Sequence, residues 1–310
     1  MSPPPSAPVP PAENRPSLRA RLSRFGLGCT TFGREIGREA AFAMMDHAVA
    51  RGINHFDTAA IYGGGESEQM IGDWLASRRP APGTVLVVTK IYPPFTPALI
   101  AATVEQSRRK LGVDRLDALL FHKWADEAAA PPVLAALDAE VRAGRVGALG
   151  ASNFNAEQFG RVVGLQAEVG GARLQLLQNN QNYAVRHVDD EVRRRCAEVD
   201  AAIVTYSPLG AGFLTGKHRR GVEPGSRFSI APAHQDIYFN DEAWRRLARL
   251  EAVAARTGLT STQLALAWAA RQPGVTSVLV GGRTTAQVDQ AFAALAIDDP
   301  AIWNELAAES

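Results

Sequence analysis

Short apolar segments alternate with longer amphipathic segments along most of the chain, and this alternation constrains the fold more than any other feature. The eight apolar segments begin near residues 24, 53, 85, 116, 146, 174, 202 and 275 and read RFGLGCT, INHFD, VLVVTK, LDALLF, VGALGAS, LQLLQ, AIVTYS and VTSVLVG. The intervening segments, such as EAAFAMMDHAVARG, repeat apolar residues at helical intervals and end at glycine. Eight strands that alternate with helices predict an α/β fold of the (β/α)8 type, a TIM barrel with a parallel eight-stranded barrel inside outer helices.

An open, doubly wound parallel sheet is the alternative fold for the same alternation. Its usual signature is the pattern G-x-G-x-x-G after the first strand. The chain matches this pattern at Gly26 and Gly28 but has Thr31 at the third glycine position, which favours the barrel. Two longer segments, 207–240 and 257–274, interrupt the alternation, and we expect both to form loops over one end of the barrel.

The length and composition indicate one globular domain with a short N-terminal extension. A chain of 310 residues with 46% hydrophobic residues is long enough for a single full-sized barrel. The first sixteen residues, MSPPPSAPVPPAENRP, are rich in proline and lack the apolar core of a signal peptide. We therefore predict a disordered proline-rich tail over residues 1–20 and one barrel domain over residues 21–310.

Charge and cysteine usage argue against several classes of function. The formal net charge is +1, and the basic clusters 193–195 and 218–220 are short and surrounded by acids, so we interpret them as solvated faces and expect no nucleic-acid partner. No apolar run approaches the roughly twenty residues that span a bilayer, so no membrane partner is expected. Cys29 and Cys196 form neither a disulfide framework nor a zinc-ligand spacing, which fits a reducing cytoplasm. The oligomeric state stays open.

Ionisable residues end three consecutive predicted strands at matching positions. Asp57 ends the second strand, Lys90 ends the third and His122 follows the fourth, at separations of 33 and 32 residues. Because the C-terminal ends of barrel strands converge on active sites, we expect these side chains at one rim, with Tyr62 in a glycine-rich loop over the same mouth. Taken singly, each residue has an ordinary explanation as a cap, a solvated strand end, a carbonyl partner or a packed ring. Their shared phase in the repeat favours a catalytic site.

The four residue types suit the reduction of a carbonyl group. When a hydride adds to the carbon, negative charge develops on the oxygen, which then needs a proton donor and hydrogen bonds. Tyr62 is the natural donor, and a neighbouring Lys90 ammonium is expected to lower the pKa of the phenol from its usual value of about 10. Asp57 would keep Lys90 charged and oriented, and His122 would orient the substrate carbonyl.

The stretches FDTAAIYGGGESE, VVTK and LLFHKW resemble segments of the aldo-keto reductases, and the resemblance extends from about residue 24 to residue 295. It implies a (β/α)8 barrel that binds NADPH in an extended pose without a Rossmann domain. It also implies hydride transfer from C4 of the nicotinamide to a small-molecule aldehyde or ketone, with Tyr62 as the acid in reduction and the base in oxidation. Asp57, Lys90 and His122 complete the implied catalytic tetrad.

The resemblance further implies cofactor contacts along the strand ends. In GASNF, Ser152 and Asn153 would bind the nicotinamide carboxamide, and Gln178 would complete its recognition. The other implied contacts are Thr30, then Tyr206, Ser207, Leu209, Gly210 and Lys217 in the loop YSPLGAGFLTGK over the pyrophosphate, and Gly281, Arg283 and Gln287 in GGRTTAQV after the eighth strand. Arg283 would pair with the adenosine 2′-phosphate, which favours NADPH over NADH. Helix caps, an ordinary turn and a solvated helix start are the simpler explanations of these residues.

Two positions depart from the family pattern. Gln181 stands where an aromatic ring would stack on the nicotinamide, so either the loop shifts to present Tyr183 or the stacking ring is lost. Ala291 stands where an asparagine would contact the adenine. The catalytic tetrad is unaffected by either change.

Two other functions and the identity of the substrate stay open. A lysine at a barrel strand end can be the nucleophile of a Schiff-base aldolase, although a carboxylate such as Asp57 would keep it protonated. The chain could also be a non-catalytic NADPH-sensing subunit, because some members of the resembled family serve as channel partners. For the substrate pocket we expect an aromatic wall or, alternatively, core packing of the same rings: Phe32, Tyr92, Trp124 and Phe154.

Overall fold

The computed structural model describes residues 17–308 and contains a closed barrel of eight parallel strands, which confirms the predicted (β/α)8 TIM barrel. Each strand pairs with the next one along the chain, and the eighth strand closes on the first. The strands are β1 (Phe25–Gly28), β2 (His55–Asp57), β3 (Leu86–Ile91), β4 (Ala118–Phe121), β5 (Leu149–Ser152), β6 (Leu174–Asn180), β7 (Ala202–Tyr206) and β8 (Ser277–Val280). All eight predicted segments therefore form strands.

Helices surround the barrel, and several begin at a polar capping residue and end at glycine. They are α1 (Leu18–Arg21), α2 (Arg38–Ala50), α3 (Glu66–Arg78), α4 (Pro97–Leu111), α5 (Pro131–Arg142), α6 (Ala156–Glu168), α7 (Asp190–Glu198), α8 (Arg227–Ile230), α9 (Gln235–Tyr238), α10 (Asp241–Thr257), α11 (Ser261–Ala270), α12 (Thr285–Ala294) and α13 (Pro300–Ala307). Helix α6 starts with a capping box between Asn155 and Gln158, and α4 ends at Gly112 in the left-handed conformation. Within residues 17–308, no helix is long and apolar enough to cross a membrane.

Helix α1 packs against the base of the barrel and corrects the predicted domain boundary. Leu18 and Leu22 are 3% and 9% exposed, and both belong to the apolar cluster inside the barrel. The boundary that we placed after residue 20 therefore falls inside a packed helix, because these two leucines bury apolar surface against the strands. The remainder of the predicted tail, residues 1–16, lies outside the described residues.

The two late segments that we predicted to be loops differ in structure. Residues 207–240 follow the C-terminal end of β7 and contain only short turns and the four-residue helices α8 and α9. The prediction for residues 257–274 is wrong, since this segment contains α11. Residues 264–270 of α11 are all buried, and the helix packs against both α10 and α12. A helix that is apolar on every side lacks the one-sided pattern by which an exposed helix is recognised.

The alternation of side chains along each strand decides which residues enter the mouth of the barrel. The apolar cluster inside the barrel includes Val88, Leu120, Leu176, Val204 and Leu279. Inward positions recur every second residue along a strand. The next inward positions toward the C-terminal end are Lys90, His122, Gln178, Tyr206 and Gly281. Strand alternation alone therefore directs these predicted site residues to one end of the barrel.

A histidine is buried inside the barrel, two residues before Asp57. His55 is 1% exposed, and its Nε2 lies 3.4 Å from Oγ of Ser277. Gly26 on the neighbouring strand makes room for the imidazole, because a Cβ at this position would overlap the ring. Burial lowers the pKa of His55 from 6.5 to about 4, so the folded chain holds this ring neutral.

We expect this imidazole to make the fold less stable as the pH falls from 6.5 to about 4. The unfolded chain binds a proton at His55 below pH 6.5 and the folded chain binds it only near pH 4, so acid favours unfolding within this interval. Urea denaturation at several pH values should show that His55→Gln loses less stability across the interval than the wild type, by roughly 1 kcal/mol per pH unit. Parallel pH profiles would contradict this expectation.

Candidate active site

Four side chains predicted from the sequence converge at the C-terminal end of the barrel. Asp57 is the last residue of β2, Lys90 lies near the end of β3 and His122 directly follows β4. Tyr62 begins the 3-10 turn Tyr62–Gly65, and the three glycines after it have φ angles of 58°, 67° and 96°. These left-handed conformations favour glycine and let the chain turn sharply between β2 and α3, which keeps Tyr62 at the mouth.

A buried ion pair forms the base of the site. Nζ of Lys90 lies 2.6 Å from Oδ1 of Asp57 and donates to the carbonyl of Thr58 at 2.8 Å. The other carboxylate oxygen, Oδ2, accepts a hydrogen bond of 2.7 Å from Nε2 of Gln178. Burial acts to lower the pKa of Lys90, but attraction to Asp57 and Tyr62 outweighs it, and the pKa is raised. Lys90 is therefore held in its charged form.

The phenol of Tyr62 lies beside this ammonium group, and its pKa differs from the predicted direction. Nζ of Lys90 is 5.2 Å from the centroid of the Tyr62 ring. Burial raises the pKa of Tyr62, and the lowering effect of Lys90 is smaller than the effect of burial. The predicted net lowering is therefore wrong, because it neglected the desolvation of the phenol. The raised pKa keeps the proton on Tyr62 at neutral pH.

His122 contacts two tyrosine rings at the mouth. Its imidazole packs edge-on against Tyr62 and Tyr92, with both centroid distances at 5.5 Å. Burial, together with the charges of Lys90 and Lys123, lowers the pKa of His122 to about 3, so the ring is neutral at neutral pH. Its Nδ1 is buried without a hydrogen-bond partner among the described residues. A neutral imidazole carries one N–H donor, which suits a carbonyl oxygen.

Two side chains at the start of α3 support the ion pair from behind, and sequence reasoning missed them. The hydroxyl of Ser67 lies 2.8 Å from that of Thr58, and Glu68 accepts a hydrogen bond of 2.7 Å from the hydroxyl of Thr89. The two threonines are chain neighbours of the ion-pair residues, so these bonds hold the backbone that carries the pair. The ESE triplet after the three glycines was the available signal, because buried polar residues of a helix need partners.

Ser152, Asn153 and Tyr206 form a linked group at the ends of β5 and β7. The Tyr206 hydroxyl donates to Oδ1 of Asn153 at 2.5 Å. Nδ2 of Asn153 donates to Oγ of Ser152 at 3.1 Å and to the carbonyl of His122 at 2.9 Å. Asn153 has a φ angle of 60°, a conformation that asparagine tolerates better than most residues. With Gln178, the group offers hydroxyls and amides from adjacent strands, a donor and acceptor set that suits a carboxamide.

Five consecutive amide side chains, residues 178–182, connect the end of β6 to its surroundings, and we call them the β6 amide run. Each of the five residues is at most 3% exposed. Their partners are Asp57 for Gln178, the carbonyl of Phe154 for Asn179, the hydroxyl of Tyr238 for Asn180, the backbone N–H of Val188 for Gln181 and the carbonyl of Ser207 for Asn182. The run therefore ties the end of β6 to Asp57 of the ion pair, to Tyr238 of α9 and to Ser207 after β7.

The β6 amide run also decides between the two outcomes left open for the stacking ring. Gln181 is 1% exposed and accepts a backbone hydrogen bond within its own loop. Tyr183 is fully buried, its hydroxyl donates to the carbonyl of Leu306 and its ring packs against Trp268. The loop therefore does not shift to present Tyr183 to the mouth, and the ring at position 181 is lost. The ring that does lie at a strand end is that of Tyr206, which packs against the apolar cluster inside the barrel.

The loop after β7 has a backbone conformation that few residues tolerate. Ser207, Gly210, Ala211 and Gly212 have φ angles of 55°, 57°, 57° and 95°. A Cβ at Gly210 would overlap the ring of Tyr238, so the loop lies directly against α9. Leu209 in the same loop is partly buried against the hydrophobic core. Strain of this kind is often found where a loop binds a ligand.

The residues after β8 lie beside the loop that follows β7, because these two strands are neighbours in the barrel. A Cβ at Gly281 would overlap the carbonyl of Gly28, so only glycine fits there. The exposed guanidinium of Arg283 donates to the carbonyl of Gly225 at 3.1 Å. Oε1 of Gln287 accepts from two backbone N–H groups at the start of α12, at 2.7 and 3.2 Å. This hydrogen bonding agrees with the helix-cap explanation of Gln287.

Three further positions discussed above differ in their exposure. Thr30 is partly exposed just after β1, and Ala291 is fully buried in α12, where its methyl group packs in the core. His218 is 2% exposed, so the interpretation of residues 218–220 as a solvated face is wrong at this position. Aromatic rings from residues 228–239 pack around His218, and the ring centroid of Phe228 is 4.9 Å from that of His218.

The four rings proposed for the substrate pocket divide into two kinds. Phe32 and Phe154 are 0% and 1% exposed and belong to the hydrophobic core, so the packing explanation holds for them. Tyr92 is 39% exposed and contacts His122. Trp124 is partly buried, and its ring packs edge-on against Phe154 at 5.0 Å. The aromatic wall therefore reduces to Tyr92 and Trp124.

The fold and the site together define a class of protein. A closed parallel barrel carries a phenol, a neutral imidazole and a buried lysine–aspartate pair at its C-terminal rim, which is an acid–base site suited to carbonyl chemistry. Among the described residues, no group of three or more His, Cys, Asp or Glu side chains is placed to hold a metal ion. Residues 24–305 match the model of the Aldo/keto reductase family. The chain belongs to this family.

Three relatives match this chain over most of their length. The chain is 28% identical to the uncharacterized oxidoreductase YrpG of Bacillus subtilis over 300 residues, which cover 89% of this chain and 88% of the relative. It is 28% identical to the protein tas of Escherichia coli, and the match covers 88% of this chain and 89% of the relative. It is also 26% identical to a probable voltage-gated potassium channel subunit beta of Arabidopsis thaliana, and the match covers 87% of this chain and 86% of the relative.

Proposed function

We propose that this protein is an NADPH-dependent reductase that converts an aldehyde or a ketone to an alcohol. The observation that carries the proposal is the position of the Tyr62 phenol, beside the buried pair of Lys90 and Asp57 and against the neutral imidazole of His122. Membership of the aldo/keto reductase family supports an oxidoreductase.

The side chains of this site would supply the proton that the carbonyl oxygen receives during reduction. The hydroxyl of Tyr62 would donate to the carbonyl oxygen and transfer its proton as negative charge develops there. The ammonium of Lys90, held by Asp57 at 2.6 Å, would stabilise the phenolate that remains. The N–H of neutral His122 would donate a second hydrogen bond to the same oxygen and so fix the orientation of the substrate.

The strand ends fit a nicotinamide dinucleotide, which supplies the hydride when bound. Ser152, Asn153 and Gln178 present hydroxyl and amide groups that already lie in one hydrogen-bonded region, and they would hold the carboxamide. The ring of Tyr206 at the end of β7 would stack on the nicotinamide, which replaces the role that the family pattern suggested for position 181.

The other contacts follow the two strand-end loops. Glycines at positions where a Cβ would be obstructed, Gly210 and Gly281, keep the backbone close to the space that a dinucleotide would cross. The remaining proposed contacts are Ser207, Leu209 and Lys217 at the pyrophosphate, Arg283 at the 2′-phosphate, and Thr30 and Gln287 toward the adenosine. The cytoplasmic location and the absence of a nucleic-acid or membrane partner stay predictions.

Replacing Arg283 should separate the two nicotinamide cofactors. Its guanidinium is exposed and donates to a neutral backbone carbonyl at 3.1 Å, and no ion pair of Arg283 is found among residues 17–308, so it can turn to a phosphate at the cost of one hydrogen bond. Hydrogen bonds to charged groups contribute enough that Arg283→Leu should bind NADPH about tenfold to a hundredfold more weakly, with NADH binding unchanged. Fluorescence titration with each cofactor measures this. Equal weakening for both cofactors would show that Arg283 does not bind the 2′-phosphate.

A cofactor-sensing subunit is the second candidate, and the channel-subunit relative favours it. The Schiff-base aldolase is disfavoured by the contacts of Lys90. A nucleophilic lysine must be neutral, whereas attraction to Asp57 and Tyr62 outweighs the burial of Lys90 and raises its pKa. Borohydride trapping with a carbonyl substrate, but without cofactor, should therefore leave Lys90 unmodified.

The proposed function is tested by binding and turnover measured on the same preparation. NADPH titration followed by a panel of aldehydes and ketones should show tight binding and consumption of NADPH with at least one class of carbonyl. Tight NADPH binding without turnover on a wide panel would favour the sensing subunit. Absence of NADPH binding would contradict both functions.

A further inference from the structure

His218 is a buried histidine in the loop region after β7, and its surroundings are only partly apolar. It is 2% exposed, and its ring packs edge-on against Phe228 with a centroid distance of 4.9 Å and lies 6.4 Å from the ring of Phe239. These contacts explain why an aromatic ring is accommodated here. They do not explain why this aromatic residue is a histidine, whose two ring nitrogens need hydrogen-bond partners when they are buried.

The hydrogen bond at one nitrogen of His218 fixes the role of the other. The backbone N–H of Glu223 donates to Nδ1 at 3.3 Å, so Nδ1 is an acceptor without a proton. Burial and the charge of Lys217 lower the pKa of the ring, which is therefore neutral at neutral pH. A neutral imidazole with an unprotonated Nδ1 carries its proton on Nε2. Nε2 is thus a donor, yet it is buried and has no partner among the described residues.

A second donor lies beside this nitrogen. The position that a Cβ would occupy on Gly212 is 3.5 Å from Nζ of Lys217 and 3.8 Å from Nε2 of His218. The ammonium of Lys217 has no carboxylate within 4.0 Å among residues 17–308. A cation and an unpaired N–H donor therefore both lie beside Gly212 in the β7 loop. Buried donors are rarely left unpaired, and two that converge indicate an anion.

We propose that Nε2–H of His218 donates to a phosphate oxygen of the bound dinucleotide, next to the ammonium of Lys217. This inference rests on the proposed function, because that function requires a dinucleotide across the β7 loop. Gly212 contributes because a Cβ at this position would lie 3.3 Å from Cε of Lys217 and would crowd the lysine side chain. Because Nζ of Lys217 and Nε2 of His218 both lie beside Gly212, one phosphate group would accept hydrogen bonds from both donors.

The proposal is tested with two variants of His218 that differ in what they keep. His218→Phe keeps a ring among the neighbouring aromatic rings and removes the donor, whereas His218→Gln places an amide N–H near the position of Nε2. We expect His218→Phe to bind NADPH about tenfold more weakly and His218→Gln to recover part of this loss. Inorganic pyrophosphate should compete with NADPH in the wild type and compete less well in His218→Phe. Thermal unfolding shows whether each variant is folded.

A spectroscopic measurement on the wild type does not depend on how well the variants fold. With ¹⁵N-labelled histidine, the proton should be on Nε2 of His218, and its resonance should shift when NADPH or pyrophosphate is added. Unchanged NADPH binding by folded His218→Phe, or a resonance that does not move, would overturn the proposal while leaving the proposed function intact. Absence of NADPH binding by the wild type would overturn both.

Discussion

Tyr62→Phe is expected to retain cofactor binding and to lose most of the reduction of carbonyl substrates. The substitution removes only the hydroxyl, and the ring can keep its edge-on contact with His122 at 5.5 Å. General acid catalysis by a positioned side chain contributes about a hundredfold to ten-thousandfold in rate, so kcat should fall by a factor in this range. The measurement is NADPH consumption with a reactive aldehyde, together with an NADPH titration of the same variant.

A matched tyrosine substitution provides the control for this result. Tyr92 packs against the same imidazole at the same centroid distance, but its hydroxyl has no role in the proposed proton transfer. Tyr92→Phe should therefore reduce the aldehyde at close to the wild-type rate. Normal turnover by Tyr62→Phe would refute the proton-donor role of Tyr62, and an equal loss in both variants would place the effect in packing around His122.

Lys90→Met should lower both the stability of the fold and the rate of reduction. The change removes the cation that lies 2.6 Å from Oδ1 of Asp57 and leaves this carboxylate buried, with Gln178 as its remaining donor side chain. Breaking a buried ion pair on one side costs about 3–5 kcal/mol, which urea denaturation measures directly. The rate should fall as well, because the phenolate of Tyr62 loses its neighbouring charge.

The double variant Asp57→Asn/Lys90→Met separates stability from chemistry. Because the second change removes the unpaired carboxylate, the double variant should recover much of the stability lost in Lys90→Met. It should not recover activity, since the ammonium beside Tyr62 is still absent. A double variant as unstable as Lys90→Met would show that the ion pair is not the source of the loss, and recovered activity would show that Lys90 does not act on the phenol.

The barrel and its polar rim could be predicted because both depend on short-range periodicity. The alternation of strands and helices is visible in the sequence, and the spacing of Asp57, Lys90 and His122 by about one repeat places them on adjacent strands. The inward direction of their side chains then follows from the two-residue period of a strand. These features need no knowledge of contacts between distant parts of the chain.

The features that could not be predicted depend on contacts between distant segments. Helix α11 is hidden because it is apolar on every side, and Leu18 is ordered only because the base of the barrel is there to cover it. The direction of the Tyr62 pKa depends on burial, which the sequence does not report. His218 looks like part of a basic surface cluster in the sequence, and only packing by the late segment makes it a buried donor.

The β6 amide run has a consequence for attempts to give this protein new substrates. The five amides bond to Asp57, to Tyr238 and to the backbones of Phe154, Val188 and Ser207, so a change at any one of them would leave a buried partner unsatisfied. Combinatorial libraries that include residues 178–182 should yield mostly inactive clones. Libraries restricted to Tyr92 and Trp124, which follow β3 and β4, should keep the catalytic parts intact while the preferred carbonyl compound changes.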